Sequence, residues 1–167
     1  MSLRRELLFI VLAAGCTACN TKRFKMPTTS MDPTIRKDET FAVRLFRSGR
    51  AEQLRRGEIV IFAMPNRNLS AKRIIGLPGD VVEIRDKTVM IDGHALVEPY
   101  VVHRDSRTWD SADGLPDVYR LRDQVKPVHI TSDRFFILGD NRDESYDSRF
   151  FGPISRSDIT GEVIGKH

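Results

Sequence analysis

Residues 57–91 read GEIVIFAMPNRNLSAKRIIGLPGDVVEIRDKTVMI, and this stretch decides the fold. Its short apolar runs, rich in Ile and Val, alternate with segments of Pro, Gly, Asn and Asp, which is typical of short β-strands joined by tight turns. We predict a buried strand at 57–63, a second strand through Lys72 and a hairpin over 81–91. The Pro-Gly pair at 78–79 predicts a type II turn, because Pro fixes φ and Gly accepts a positive φ.

Short apolar runs of the same kind lie on both sides of this stretch. We predict further strands at 40–46, 134–138 and 158–164, and no long helical periodicity follows residue 20. The sequence therefore predicts an all-β fold of coiled antiparallel sheets, barrel-like in form. The looser segment 94–127 predicts a small second lobe or an insertion.

The composition describes a globular chain with a mild basic excess. Its 167 residues suit one domain with a sizeable core, and 40% are hydrophobic against 30% charged. The net charge is +4 and the pI is about 9.3, but Lys and Arg are scattered among acids and form no aromatic-interleaved stripe. This distribution argues against nucleic acid as a partner and fits a surface near anionic lipid headgroups. We also expect a monomer.

Residues 1–20 have the layout of an export signal or of a membrane or lipid anchor. An Arg-Arg pair precedes the apolar run LLFIVLAA, and small residues follow. The stretch from Leu7 to Cys19 covers 13 residues, which is short of the roughly 20 that a helix needs to cross a membrane. The segment LAAGC resembles a bacterial lipobox, so we predict lipidation of Cys16. An uncleaved anchor and a secreted domain are the alternatives.

The cysteines and histidines do not predict a metal site. Cys16 and Cys19 are the only cysteines, and a zinc site of the common kind needs four ligands. The four histidines are dispersed along the chain and are expected to lie at the surface: His94, His103, His129 and His167. We therefore expect no metal and no cofactor.

A serine between two prolines stands in residues 26–34, MPTTSMDPT. Pro27 and Pro33 fix φ and restrict the residues before them, so we expect extended backbone and an accessible hydroxyl at Ser30. A serine hydroxyl is a poor nucleophile until a base accepts its proton. Taken alone, the segment is also typical of an ordinary turn.

A lysine in residues 71–80, AKRIIGLPGD, is the candidate base, since no histidine stands in a motif. Lysine accepts a proton near neutral pH only if burial lowers its pKa from about 10.4 by several units. Alternation in a strand places Lys72 on one face with Ser70 and Ile74, and Arg73 on the other. The alternative is an edge-strand lysine whose ammonium stays in water.

These two segments and a third, GDNRDESYDSR at 139–149, resemble boxes of the type I signal peptidases and occur in the same order. The resemblance runs from about Phe24 to Gly161. It implies a Ser/Lys endopeptidase with a catalytic β domain over 24–167. It also implies that no metal or cofactor takes part.

The resemblance assigns roles to individual residues. It implies that Ser30 is the nucleophile and Lys72 the general base, and that the Thr28 hydroxyl and the Ser30 backbone N–H form the oxyanion hole. It implies that Ser145 hydrogen-bonds the lysine amine and orients it. A structural charge network beside the site is implied for Arg73, Asp147 and Arg149.

The same resemblance implies the substrate and the location. Type I signal peptidases remove signal peptides from exported preproteins, after small residues one and three positions before the cut. We therefore expect this chain at the bacterial cytoplasmic membrane, with its catalytic domain on the extracytoplasmic face. A lipid-anchored Cys16 would depart from the uncleaved anchor that is usual in this family.

Two other functions stay open at the level of sequence. One is a dedicated Ser/Lys processing peptidase, such as one that processes conjugative pilins; a self-cleaving repressor is not expected, because about 25 residues before the first box leave no room for a DNA-binding module. The other is a non-catalytic β-domain lipoprotein. Loss of Ser30 or Lys72 would favour it, and both are present.

Overall fold

A computed structural model describes residues 20–46, 54–64, 68–109 and 116–166. Two short α-helices, α1 (Asp117–Asp123) and α2 (Ser148–Phe151), accompany the strands of these ranges, together with 3-10 turns at Arg142–Glu144 and Arg156–Asp158. The strands are, in chain order, β1 (Thr21–Lys25), β2 (Thr40–Leu45), β3 (Ile59–Ala63), β4 (Leu69–Gly76), β5 (Val81–Arg85), β6 (Thr88–Ile91), β7 (His94–Ala95), β8 (Val125–His129), β9 (Arg134–Leu138), β10 (Ile154–Ser155) and β11 (Ile159–Lys166). The predicted all-β fold is confirmed.

The strands form two sheets. The larger has seven strands in the order β1-β2-β11-β3-β4-β9-β10, and the smaller has four in the order β7-β6-β5-β8. Every named pair of strands is antiparallel. The segment 94–127 contributes β7, α1 and the start of β8 to the region of the smaller sheet, and its role as a separate lobe or insertion stays a prediction.

The turns expected between β4 and β6 are confirmed. Asp80 N donates to Leu77 O over 3.1 Å, and Gly79 has φ +96°, as a type II turn requires at that position. Asp86 and Lys87 both have positive φ, 46° and 69°, and close the hairpin of β5 and β6. Aspartate tolerates the left-handed region, and paired positive φ values match the twist of a two-residue hairpin, which is the reason that Lys87 also adopts one.

Four strands were not predicted from the sequence: the two-residue strands β7 and β10, and the longer strands β1 and β8. The polar strand β1 has no continuous apolar face, and it forms because it pairs with β2 at the edge of the larger sheet. Strand β8 contains Pro127, which argues against a central strand. In the structure β8 is an edge strand that pairs with β5, so the missing N–H of proline is tolerated there.

Strand β4 is the centre of the core. It lies between β3 and β9, and six of its eight residues are buried. Ala71, Ile74 and Ile75 each belong to a different hydrophobic cluster, and the cluster of Ile75 joins the two sheets through Val82 and Phe136. From Ala71 onward, a side chain on β4 is therefore removed from water on both faces of the sheet.

The predicted signal or anchor over residues 1–20, with Cys16, lies outside the described residues apart from Asn20. Among the residues that the structure describes, no helix is both long enough and apolar enough to cross a membrane.

Candidate active site

Ser30 lies at the start of a turn that follows β1. Asp32 N donates to Thr29 O over 3.0 Å, and Ile35 N donates to Met31 O over 2.9 Å. The expectation of extended backbone here is therefore wrong, because the fully buried side chains of Met31 and Ile35 draw the chain back into the core. Ser30 itself is 4% exposed.

Lys72 reaches the Ser30 hydroxyl from β4. Its Nζ lies 2.7 Å from Ser30 Oγ, 3.2 Å from Ala71 O and 3.4 Å from Ser70 Oγ. The contact with Ser70 agrees with the alternation that puts both side chains on one face of the strand. The two candidate residues, 42 positions apart in sequence, are thus in hydrogen-bond contact.

Burial changes the acidity of this lysine. It lowers the pKa of the Lys72 ammonium to about 8, because the charged form loses its hydration. The Asp147 carboxylate opposes this shift, and the Arg149 guanidinium adds to it. The alternative of an edge-strand lysine in water is wrong, since Lys72 is 2% exposed. Its amine can become neutral near pH 8, which a general base requires.

Thr28 places a second hydroxyl beside Ser30. Its Oγ1 lies 3.1 Å from Ser30 Oγ, and Ser30 N donates to Thr28 Oγ1 over 3.4 Å. Both groups implied for the oxyanion hole therefore lie next to the candidate nucleophile. Each carries a proton that could be donated to an oxygen developing negative charge.

The loop that begins at Gly139 holds the backbone of the serine segment. Asn141 N donates to Ser30 O over 3.1 Å, and Asn141 Nδ2 donates to Thr29 O over 3.2 Å. A Cβ on Gly139 would lie 2.2 Å from Ser145 Oγ and 2.5 Å from Ser30 O. Glycine is therefore required at this position, because any side chain would push the serine segment away from the loop.

The hydrogen bond from Ser145 to the lysine amine that the resemblance implies is not formed. Ser145 Oγ is buried and makes no hydrogen bond to the Lys72 amine; its hydroxyl instead helps to lower the pKa of Asp147. The amine of Lys72 instead contacts Ser30, Ser70 and Ala71. Ser145 lies close to Gly139, where only a glycine leaves room for its side chain.

Asp147 and Arg149 form a fully buried ion pair within this loop. Arg149 Nε donates to Asp147 Oδ1 over 2.8 Å, and both side chains are 0% exposed. Asp147 also accepts from Gly139 N over 3.0 Å. The guanidinium of Arg149 donates to three backbone carbonyls, those of Arg122, Arg142 and Ser145. The pair therefore fixes both ends of the loop.

Arg73 belongs to a second pair, separate from Asp147 and Arg149. It donates to both carboxylate oxygens of Asp140, over 2.8 and 2.6 Å, and the Tyr100 ring stacks on its guanidinium at 3.8 Å. The predicted charge network is thus two pairs on neighbouring segments. Asp140 and Tyr100 were not assigned these roles from the sequence. The acidic character of the loop was a signal for Asp140, whereas Tyr100 stands outside any motif.

Within the described ranges, no group of three or more His, Cys, Asp or Glu side chains is placed to hold a metal ion. His94, His103 and His129 are exposed, as predicted for surface histidines. His167 lies outside the part of the chain that the structure describes.

Comparison with known proteins gives one consistent family. The sequence matches the model of the family described as signal peptidase, peptidase S26, over residues 3–166. Signal peptidase I V of Bacillus subtilis is 31% identical over 140 residues, which cover 84% of this chain and 82% of that protein. Signal peptidase I of Bacillus licheniformis is 34% identical over 158 residues, or 93% of this chain and 81% of that one. A crystal structure of a signal peptidase I from Enterococcus faecalis aligns with a TM-score of 0.50 and 33% identity, covering 68% of this chain and 98% of that chain.

The fold and these comparisons together identify the chain as a serine endopeptidase, which is a hydrolase. More narrowly, the chain belongs to the signal peptidase family, peptidase S26. The relatives are named as peptidases and give no support to the lipoprotein alternative. Lipidation of Cys16 stays a prediction.

Proposed function

We propose that this chain cleaves signal peptides from preproteins with Ser30 as nucleophile and Lys72 as general base. The observation that carries the proposal is the 2.7 Å contact between Lys72 Nζ and Ser30 Oγ inside the fold. A buried amine with a lowered pKa beside a serine hydroxyl supplies what a Ser/Lys peptidase needs in place of histidine.

The chemistry follows from these positions. Neutral Lys72 takes the proton of Ser30 as Oγ attacks the carbonyl carbon of the scissile bond. The resulting oxyanion accepts hydrogen bonds from the Thr28 hydroxyl and the Ser30 backbone N–H. Lys72 then returns the proton to the leaving amine, and an acyl group remains on Ser30. Water, deprotonated by the same amine, hydrolyses this ester and regenerates the serine.

A narrow apolar groove next to Ser30 supports the substrate assignment. It has a volume of about 220 Å³, and Thr28 and Ser70 lie at its wall together with Phe24, Phe41 and Met64. Strand β4 pairs with β9 only from Arg73 onward, so its edge over residues 69–72 is open to a peptide strand within the described structure. A peptide added there in extended form would alternate its side chains, and the small groove favours small apolar residues one and three positions before the cut.

The location is also part of the proposal. Strand β1 carries exposed Lys22, Arg23 and Lys25 directly after the N-terminal segment. Basic side chains near a membrane surface are attracted to anionic headgroups. We place the catalytic domain over 24–167 at the extracytoplasmic face of the bacterial cytoplasmic membrane, with residues 1–20 as the attachment.

The test is cleavage of a preprotein with an Ala-x-Ala site by the full chain in neutral detergent. We expect one cut after the second Ala, identified by the mass of both products. A matched preprotein with Leu in place of both alanines should be cut far more slowly, because the groove does not accept the larger side chains. Absence of cleavage of several such preproteins, with detergent and with lipid, would contradict the proposed function.

The pH dependence of cleavage tests the role of the lysine. Because Lys72 must be neutral to act as a base and its pKa is lowered to about 8, kcat/KM should rise with pH and level off above about 8. Below that value the neutral fraction falls about tenfold for each pH unit. Thermal unfolding at each pH is the control for loss of structure. A flat profile between about pH 6 and 9 would be inconsistent with this base.

A further inference from the structure

A second cleft is lined in part by residues that follow Ser30 in the chain, Asp32 to Lys37. The apolar groove is lined by residues that precede Ser30, from Phe24 to Thr28, and by residues of β2, β3 and β4 and of the segment between β3 and β4. The second cleft has a volume of about 380 Å³, and we call it the Arg104 cleft. Its lining consists of Asp32, Pro33, Arg36, Lys37, Val102 and Arg104.

Hydrogen bonds and ion pairs connect this cleft to the catalytic serine. Arg104 Nη2 lies 3.1 Å from Asp32 Oδ2, and its Nη1 lies 3.9 Å from Glu144 Oε1. Glu144 in turn accepts a hydrogen bond of 2.5 Å from the hydroxyl of Thr29, the neighbour of Ser30. Arg104 thus joins three segments at the rim of the site. The cleft is therefore connected to Thr29 and Asp32, within two positions of the proposed nucleophile.

The cleft is cationic in balance. Three of its lining side chains are basic and one, Asp32, is acidic. Arg36 and Lys37 are exposed, and it is their backbone N–H groups that bind the nearest carboxylates, Glu39 and Asp32. Both side chains line the cleft, and Lys37 also attracts the Asp38 carboxylate, so their positive charges add to the field that a ligand in the cleft meets.

Arg104 also keeps donors for a ligand. Its side chain is 51% exposed, and its contact with Glu144, at 3.9 Å, is longer than a hydrogen bond. The nearby carboxylate of Asp38 forms an ion pair with Lys25 at 2.9 Å. An incoming carboxylate can thus bind Arg104 without displacing a buried partner.

From this arrangement we infer that the Arg104 cleft binds acidic side chains of the mature protein, in the first few residues after the cleavage site. The inference rests on the proposed function, because it needs a peptide that runs past Ser30. The apolar groove takes the small apolar residues before the cut, and the cationic cleft takes the polar, charged residues that follow. Charge at the rim of a binding site acts chiefly on association and specificity.

The experiment compares two preproteins that share one Ala-x-Ala site. One carries Asp and Glu at the second and third positions after the cut, and the other carries two lysines. With the full chain in neutral detergent, we expect kcat/KM to be about fivefold higher for the acidic substrate, the size expected of partly exposed ion pairs. The preference should shrink as salt rises above about 0.1 M, because exposed charges are screened.

Three variants decide which residue carries the preference. Arg104→Gln should bring the ratio of the two kcat/KM values close to one, and Arg104→Lys should retain most of it because the charge is kept. The matched control is Arg85→Gln, which removes an exposed arginine paired with Glu83 on the hairpin of the smaller sheet. The control should leave the ratio unchanged.

Several results would overturn the inference. Equal kcat/KM values for both substrates with the wild-type chain would refute the binding of acidic side chains in the Arg104 cleft, while leaving the proposed function intact. If Arg104→Gln lowers kcat/KM equally for both substrates, the role of Arg104 is purely structural. If phosphatidylglycerol in phosphatidylcholine vesicles raises activity, and Arg104→Gln alone abolishes that rise without altering the substrate ratio, the cleft binds lipid and the inference is wrong.

Binding without turnover supplies an independent measurement. Full-length Ser30→Ala should bind a labelled peptide of the acidic mature sequence more tightly than the lysine version, by anisotropy at low salt. Equal binding of the two peptides would count against the cleft even if the chain proves inactive on every preprotein.

Discussion

Replacing Lys72 with Met should lower kcat/KM for signal-peptide cleavage by roughly 10⁴-fold or more, because the only amine in contact with Ser30 Oγ among the described residues is lost. The side chain of Met has a similar length and is apolar, so it can occupy the same buried position. The fold should therefore survive, since a buried amine is exchanged for a side chain that needs no hydration. Cleavage is measured in single-turnover and steady-state assays with an Ala-x-Ala preprotein.

Three comparisons make this result interpretable. In Ser30→Ala, kcat/KM should fall to a similar extent. The double variant should be little less active than either single variant, because the two residues act as a unit. The control is Lys126→Met, which removes an exposed lysine from β8 and should leave activity unchanged. If the folded Lys72→Met protein retains more than a few per cent of wild-type activity, Lys72 is not the general base.

Asp147→Asn should destabilise the protein by about 3–5 kcal/mol, the usual effect of leaving one charge of a buried pair without its partner. Arg149 would remain fully buried, with its charge uncompensated. For a chain of this size the loss corresponds to a fall in Tm of roughly 6–20 °C. Thermal unfolding followed by circular dichroism measures it directly.

The same carboxylate makes stability depend on pH. Burial alone would raise the pKa of Asp147, but the charge and hydrogen bonds of Arg149 outweigh burial and hold that pKa below its ordinary value. A lowered pKa in the folded state means that the stabilisation is present above the unfolded pKa of about 4 and is lost as pH falls through the folded value. Wild-type stability should therefore drop at acid pH, and the drop should be smaller in Asp147→Asn.

A surface pair provides the control for this prediction. Asp38 lies 2.9 Å from Lys25, with both side chains more than half exposed. Asp38→Asn should leave Tm nearly unchanged, because an exposed pair contributes little. A small effect of Asp147→Asn, equal to that of the surface variant, would contradict the structural role given to the buried pair.

Local sequence patterns were sufficient for most of the strands and turns. The apolar runs around Phe62, Ile74 and Phe136 all became core strands, and the Pro-Gly turn formed as expected. These features depend on a few neighbouring residues, so the sequence predicts them. The expectation of extended backbone at Ser30 was wrong because it considered only the two neighbouring prolines. The turn is stabilised by burial of Met31 and Ile35 among residues that are distant in the sequence.

The sequence by itself determined the order of the three boxes, and with it the family and the identity of the candidate pair, Ser30 and Lys72. Tertiary structure alone decided which groups touch. Alternation along β4 predicts which face of the strand carries Lys72, but not which residue it contacts. The contact partners depend on how strands and loops that are far apart in the chain are placed against each other. These tertiary contacts pair Arg73 with Asp140, leave Ser145 without a hydrogen bond to Lys72, and place Arg104 against Asp32 near Ser30. Even the lowered pKa of Lys72 is a tertiary property, because only packing on both faces of the sheet removes its amine from water.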